Sequence, residues 1–259
     1  MYAIAGAGST VVAPADDAYA AAMPIHLRAR PEDVAPTVLL VGDPGRAERI
    51  AGIFDGAVCY NRNRGLLGFT GTHEGLRVSV QTTGMGGPSA AIVVEELADL
   101  GASTVIRLGT CGAIGEGVGV LHLVISTAAV PLDGTVRQYV ADAPYAPAPD
   151  FGVTRALVEA AKGVRRPVHV GLTMSHDAFY RQPESWETWR ARRVLAVEME
   201  AATIFTVAAM RGLRAGAACL VVDVVGDRES WASDEAIAGG TAELVTLGLE
   251  AAHALATDG

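Results

Sequence analysis

The chain has 259 residues, half of them hydrophobic, and a formal net charge of −9. That length suits one large α/β domain with a substantial core, and the acidic balance argues against a general nucleic-acid surface. No apolar run approaches the roughly 18 residues of a membrane helix.

Residues 1–22 are rich in Ala, Gly and Asp and carry no basic residue, so they lack the positive start of a secretory leader. They are expected to form a disordered tail ahead of a domain spanning residues 23–259. From Thr37 onward, apolar β-like runs alternate with helical patterns. In chain order these are strand Thr37–Val41, helix Arg46–Phe54, strand Arg77–Thr82, helix Pro88–Leu100, and strands Thr104–Leu108 and Leu121–Ala129. They continue with helix Val153–Lys162, strands Val168–Thr173 and Val194–Val197, helix Glu198–Arg211, strand Ala217–Asp223 and helix Asp234–Ala256. The second helix shows the logic: Pro88 suits a first turn, Ile92, Val93, Leu97 and Leu100 fall at helical spacing, and Gly101 ends it. This alternation predicts an α/β fold, a single-domain mixed β-sheet with helices on both faces. The Pro-rich stretch Ala141–Asp150 reads as a surface loop within that domain. Cys59, Cys111 and Cys219 stand at long, irregular spacing, which suits reduced thiols of a cytoplasmic protein and neither a disulfide framework nor a zinc site.

Ligands of such sheets gather beyond the carboxyl ends of the strands, and the notable residues follow predicted strands there. In Arg107-Leu-Gly-Thr-Cys-Gly-Ala113 a buried strand delivers a guanidinium and then the Thr110 hydroxyl into a glycine-rich turn, a combination suited to a small oxyanion. Gly42-Asp-Pro-Gly-Arg46 is a second tight turn, with Arg46 opening a helix whose N-terminus favours an anion; it also reads as an ordinary Pro-Gly turn. Gly84-Met85-Gly86-Gly87 lacks the dinucleotide-binding spacing and reads as a bare floor for a planar or sugar ligand, or as a structural turn. Val197-Glu-Met-Glu200 offers two carboxylates around Met199, either acceptors for a diol or solvated first-turn acids. Asp223, inside an apolar run, reads as a desolvated proton donor or as a turn cap where the strand ends at Val222.

Taken together with Pro24-Ile-His26, Asn63-Arg-Gly65 and Ser175-His-Asp-Ala-Phe-Tyr180, these motifs resemble the nucleoside phosphorylase family. The relevant branch holds hexameric purine nucleoside phosphorylases, uridine phosphorylases and some methylthioadenosine phosphorylases. The resemblance runs from about Pro24 to the C-terminal helix. It implies a phosphate site of Gly42, Arg46, Arg107 and Thr110, joined by Arg64 of a neighbouring subunit. It implies a ribose site of Met85, Met199 and Glu200 with His26 of the neighbour, and a base site of Phe179, Val197 and Glu198. It further implies a homo-oligomer, usually a hexamer built as a trimer of dimers, with inorganic phosphate as co-substrate and no metal or organic cofactor.

Asp223 stands 23 residues after Glu200, the interval at which purine-acting members carry the acid that protonates the purine N7. The Gln-x-Arg base-reading pair of the uridine branch is not reproduced after Phe179-Tyr180, where Arg181-Gln-Pro-Glu-Ser-Trp186 follows. Val222-Asp223-Val224 departs from the Ser-Asp-His or Ser-Asp-Asn of purine-acting members, and the arginine that assists the acid has only Arg228 as a counterpart, at another spacing. Flanking stretches such as His169-Val-Gly-Leu-Thr173 look closer to uridine phosphorylase. The expected activity is phosphorolysis of a purine nucleoside. The alternatives are a uridine phosphorylase, a phosphate-independent nucleosidase that would not need Arg46, Arg64 and Arg107, and a non-catalytic nucleoside-binding protein.

Overall fold

Strand periodicity decides the layers. In β1 (Thr37–Val41), Leu39 and Val41 face one core while Val38 and Leu40 face another, so the strand is apolar throughout and buried on both sides. The same division holds along the sheet. Helices α1 (Pro44–Ala51), α4 (Phe151–Ala160) and α7 (Asp234–Thr257) cover the first face; α2 (Gly87–Asp99), α3 (Gly134–Tyr139) and α6 (Ala201–Met210) cover the second. A short α5 (Trp186–Ala191) lies beside the sheet's far end. The computed structural model describes residues 24–181 and 185–257, apart from the side chain of Arg228. The tail expected over residues 1–22 lies outside the described residues. Among those described, no helix is long and apolar enough to cross a membrane.

The sheet is mixed, as expected. Its remaining strands are β2 (Asp55–Asn61), β3 (Gly68–His73), β4 (Leu76–Thr82), β5 (Thr104–Ala113), β6 (Leu123–Leu132), β7 (Val168–His176), β8 (Ala196–Glu198) and β9 (Arg214–Val224). Their order is β2-β3-β4-β1-β5-β8-β7-β6-β9, with β5 also paired to β9. The last pairing closes β5, β8, β7, β6 and β9 into a ring, and β2, β3, β4 and β1 extend from it as a flap. Strand β5 is therefore forked. One edge pairs with β9 along its length, while the other pairs first with β1, up to Leu40–Arg107, and then with β8, from Gly112–Val197.

This fork corrects one sequence expectation. Gly109-Thr-Cys-Gly112 is not a turn but the second half of β5, because β9 runs beside every residue of it and takes up its backbone groups. Likewise β7 continues through His176 because β6 accompanies it as far as Leu132. Helix α6 starts at Ala201, so Glu198 and Glu200 precede its first turn. Strands β2 and β3 and helices α3 and α5 were absent from the sequence-derived order. The reason is visible in β2, whose first residues are exposed and carry no apolar alternation to detect.

Candidate active site

At the fork Arg107 is buried, and its guanidinium meets two acids. Its Nε donates to Glu198 Oε2 at 2.8 Å and its Nη2 pairs with Glu200. Its Nη1 has no partner among the described residues. Burial opposes the charge on Arg107, but Glu200 and Glu198 outweigh it and raise the pKa. Glu198, expected beside a base, has both oxygens occupied within the protein. They accept the Ser175 hydroxyl and the backbone N–H groups of Glu200 at 2.9 Å and Ala201 at 2.9 and 3.0 Å, besides Arg107. It sits where α6 presents unpaired N–H groups, which favour a carboxylate. Glu200 is held in turn by the backbone N–H of Gly86. Gly86 has φ +89°, a conformation that suits glycine, so the bare turn Gly84–Gly87 anchors a carboxylate. Burial raises the pKa of Glu200 against the pull of Arg107.

Arg46 is the second buried guanidinium, 8% exposed. Asp43 caps α1 by accepting from Gly45 N and Arg46 N, which fixes the backbone of Arg46 at the helix start. The side chain then reaches Leu108, donating from Nη1 to its carbonyl at 3.1 Å. Leu108 lies in the gap where β1 has left β5 and β8 has not yet joined. Arg46 Nε is buried without a partner, and no carboxylate pairs with the guanidinium among the described residues. Its pKa is pushed down by burial and by the neighbouring charge of Arg107. The two buried cations are matched in number by two buried carboxylates, but both acids sit on Arg107 and Arg46 has none among the described residues. An anion beside Arg46 supplies the partner it lacks. Gly42 follows the end of β1, and half-buried Thr110 lies within β5 two residues beyond Leu108.

Asp223 lies within β9, which runs on to Val224, so it is not a turn cap. A bulge shifts the register between Cys111–Val221 and Gly112–Asp223, and bulges of this kind re-aim a side chain. The carboxyl group packs against Gly112: a Cβ there would stand 3.0 Å from Asp223 Oδ1. Burial raises the pKa of Asp223. Val197 and Met199 alternate with Glu198 and Glu200, half-buried where the acids are buried. Phe179 and Met85 are exposed at 63% and 82%. Phe179 meets Tyr180 edge-on with ring centroids 5.1 Å apart. Residues 182–184, in the stretch compared with the uridine pattern, and the Arg228 side chain lie outside what is described.

His26 and Arg64 form a separate corner. Glu96 on α2 gathers the His26 segment: its carboxylate accepts His26 N at 3.0 and 3.1 Å, Leu27 N at 2.6 Å, Ile25 N at 3.2 Å, and contacts His26 Nδ1 at 2.7 Å. Asn63 Nδ2 donates to the His26 carbonyl at 3.0 Å, tying the next residue, Arg64, to the same corner. Arg64 is exposed and left-handed, with φ +55°. Sequence reasoning missed Glu96 and assigned no role to Ser175. The signal for Glu96 was present: an acid at the helical spacing of Val93, Leu97 and Leu100 interrupts a buried stripe and must have a partner there.

Residues 36–255 match the Phosphorylase superfamily. The chain belongs to this superfamily. It is 41% identical to a DeoD-type purine nucleoside phosphorylase of Geobacillus kaustophilus (strain HTA426) over 233 residues, covering 89% of this chain and 98% of that one. It is 42% identical to a uridine phosphorylase of Thermococcus kodakarensis over 213 residues, covering 77% of this chain and 76% of the other. The crystal structure of uridine phosphorylase from Vibrio fischeri ES114 superposes with a TM-score of 0.83 at 27% identity, covering 89% of this chain and 97% of that chain. The superfamily member described here therefore shares a nucleoside phosphorylase fold.

Proposed function

We propose that this chain is a purine nucleoside phosphorylase, cleaving the N-glycosidic bond with phosphate to give free base and (deoxy)ribose 1-phosphate. One observation carries the reading: buried Arg46 has no carboxylate partner among the described residues and an unpaired Nε, beside an already charged Arg107. Phosphate bound by Gly42, Arg46, Arg107 and Thr110 gives Arg46 the anionic partner it lacks. In this role Arg46 Nε and Arg107 Nη1 are the free donors, and Arg64 of a second copy closes the site. Glu198 acts as a positioning residue that fixes Arg107. Glu200 accepts from the ribose hydroxyls, with Met199 and Met85 against the sugar and His26 of the second copy at its 5′ end. Phe179 and Val197 flank the base.

As phosphate attacks C1′ and the C–N bond breaks, positive charge grows on the sugar and negative charge on the base. Asp223, kept protonated to higher pH by burial, donates to purine N7 and makes the base a better leaving group. The chemistry calls for inorganic phosphate as co-substrate and for no metal or organic cofactor. The proposed assembly is a hexamer of three dimers, in cytoplasmic nucleoside salvage.

A second reading, uridine phosphorolysis, is favoured by the likeness to the Vibrio fischeri structure. The test is cleavage of inosine, adenosine, methylthioadenosine and uridine in parallel, with and without phosphate. The expected result is purine release confined to phosphate-containing samples. Uracil release alone would assign the uridine reading. Turnover undiminished without phosphate would make the chain a nucleosidase, and binding without product would make it a non-catalytic binder.

A further inference from the structure

A cluster remote in sequence from the fork carries chemistry that nucleoside cleavage does not use. His73 ends β3, Glu74 follows it in the turn to β4, and His253 projects from the last turns of α7. Their ligand-type atoms all lie within 4.8 Å of one another. The imidazoles share a hydrogen bond between His73 Nδ1 and His253 Nε2, 3.3 Å apart, with the rings tilted by 58°, and an ion would take the place of the shared proton. Two nitrogens each about 2.05 Å from a tetrahedral ion stand roughly 3.3 Å apart, so the pair already has the separation of two ligands on one metal. Both histidines are half-buried and Glu74 is exposed, leaving an open side for water.

The turn is built to hold the third ligand. Glu74 and Gly75 both have positive φ, +47° and +85°, as in a tight two-residue hairpin turn. Such turns favour Asn or Asp before the glycine. Here the position carries a glutamate, whose longer stem lets a carboxylate reach the histidine pair. The ligands come from a closed hairpin and a long packed helix, so little ordering is left for an ion to impose.

We propose that His73, Glu74 and His253 bind one divalent transition ion of the zinc type, with water completing a tetrahedral set. Two imidazoles and one carboxylate select zinc-like ions over magnesium, which takes oxygen ligands in octahedral geometry. Bound there, the ion fastens the C-terminal end of α7 to the β3–β4 hairpin.

The experiment uses the full chain without a histidine tag, stripped by chelator and titrated with Zn2+ by calorimetry. One ion per chain is expected, with a rise in Tm that Mg2+ does not reproduce. His73→Ala and His253→Ala each weaken binding by about tenfold or more and abolish the Tm rise, while phosphorolysis without added metal stays at the wild-type rate. Should either alanine variant fold poorly, His73→Gln and His253→Gln serve in its place. Co2+ in the wild type gives the intense visible absorption of a tetrahedral ion, lost in the variants. Absence of Zn2+ binding, equal binding by a His73→Gln/His253→Gln double variant, or the weak spectrum of hydrated Co2+ would overturn the proposal.

Discussion

Removing either buried arginine should cost phosphate affinity, but the two losses should differ sharply in stability. Arg46→Met gives up one charge-assisted hydrogen bond to the Leu108 carbonyl, worth about 1.5–3 kcal/mol. It also removes a buried cation from beside Arg107, which offsets part of that loss and leaves a net cost below about 2 kcal/mol. At this chain length 1 kcal/mol corresponds to roughly 2–4 °C, so the Tm of Arg46→Met should fall by no more than about 8 °C. Arg107→Met instead strands the buried carboxylates of Glu198 and Glu200, and breaking a buried pair costs about 3–5 kcal/mol. Its Tm should fall by about 6–20 °C. In steady-state assays both variants should raise the KM for phosphate at least about 30-fold, equivalent to ~2 kcal/mol of lost contact. Nucleoside KM should change less in Arg46→Met, because Glu200 keeps its partners there. An Arg46→Met enzyme with phosphate KM within threefold of wild type would refute the reasoning. So would one destabilised as much as Arg107→Met.

Asp223→Asn should abolish most purine turnover while raising Tm at neutral pH. A buried acid with a raised pKa binds its proton more tightly when folded, so its charged form destabilises the protein above that pKa, and asparagine removes the cost. For the wild type, purine kcat/KM should fall as pH rises through this raised pKa, above the ordinary aspartate value of about 4, and a profile lacking that limb would count against the acid's role. Gly112→Ala should lower purine kcat, since its methyl group would meet Val225 Cγ1 at 2.8 Å and Asp223 Oδ1 at 3.0 Å and displace the carboxyl; unchanged kcat in a folded variant would place the working carboxyl elsewhere. Glu96→Gln should raise the nucleoside KM several-fold and the phosphate KM less, because it frees the His26 segment directly, reaches Arg64 only through Asn63, and leaves Arg46 and Arg107 untouched.

The sequence carried the layers well because β1, the first half of β5 and most of β9 are buried on both faces and read as largely apolar runs. It carried β2 poorly for the opposite reason. Arg107, Glu198 and Glu200 could be picked out one by one, yet nothing local reveals that they pair across 91 residues. That pairing turned Glu198 from an expected base contact into the support of Arg107. The fork in β5 was equally hidden, because the second half of the strand is glycine-rich and looks like a turn until β9 is laid beside it. Glu96 was readable in principle, as an acid in an apolar stripe, but its partners are backbone groups 69–71 residues away.

The forked strand also sets an order of events during synthesis. Thr104 pairs with Arg214, so β5 leaves the ribosome about 110 residues before its neighbour does. At roughly 5–20 residues per second that is a wait of about 5–20 s. Through that interval β5 lacks β9 along one edge, and for most of it the Arg107 cation has neither of its acids. The nascent chain is therefore most exposed to misassociation at the very strand around which the site is later built, and a cellular holding factor acting on it would have its greatest effect in that window.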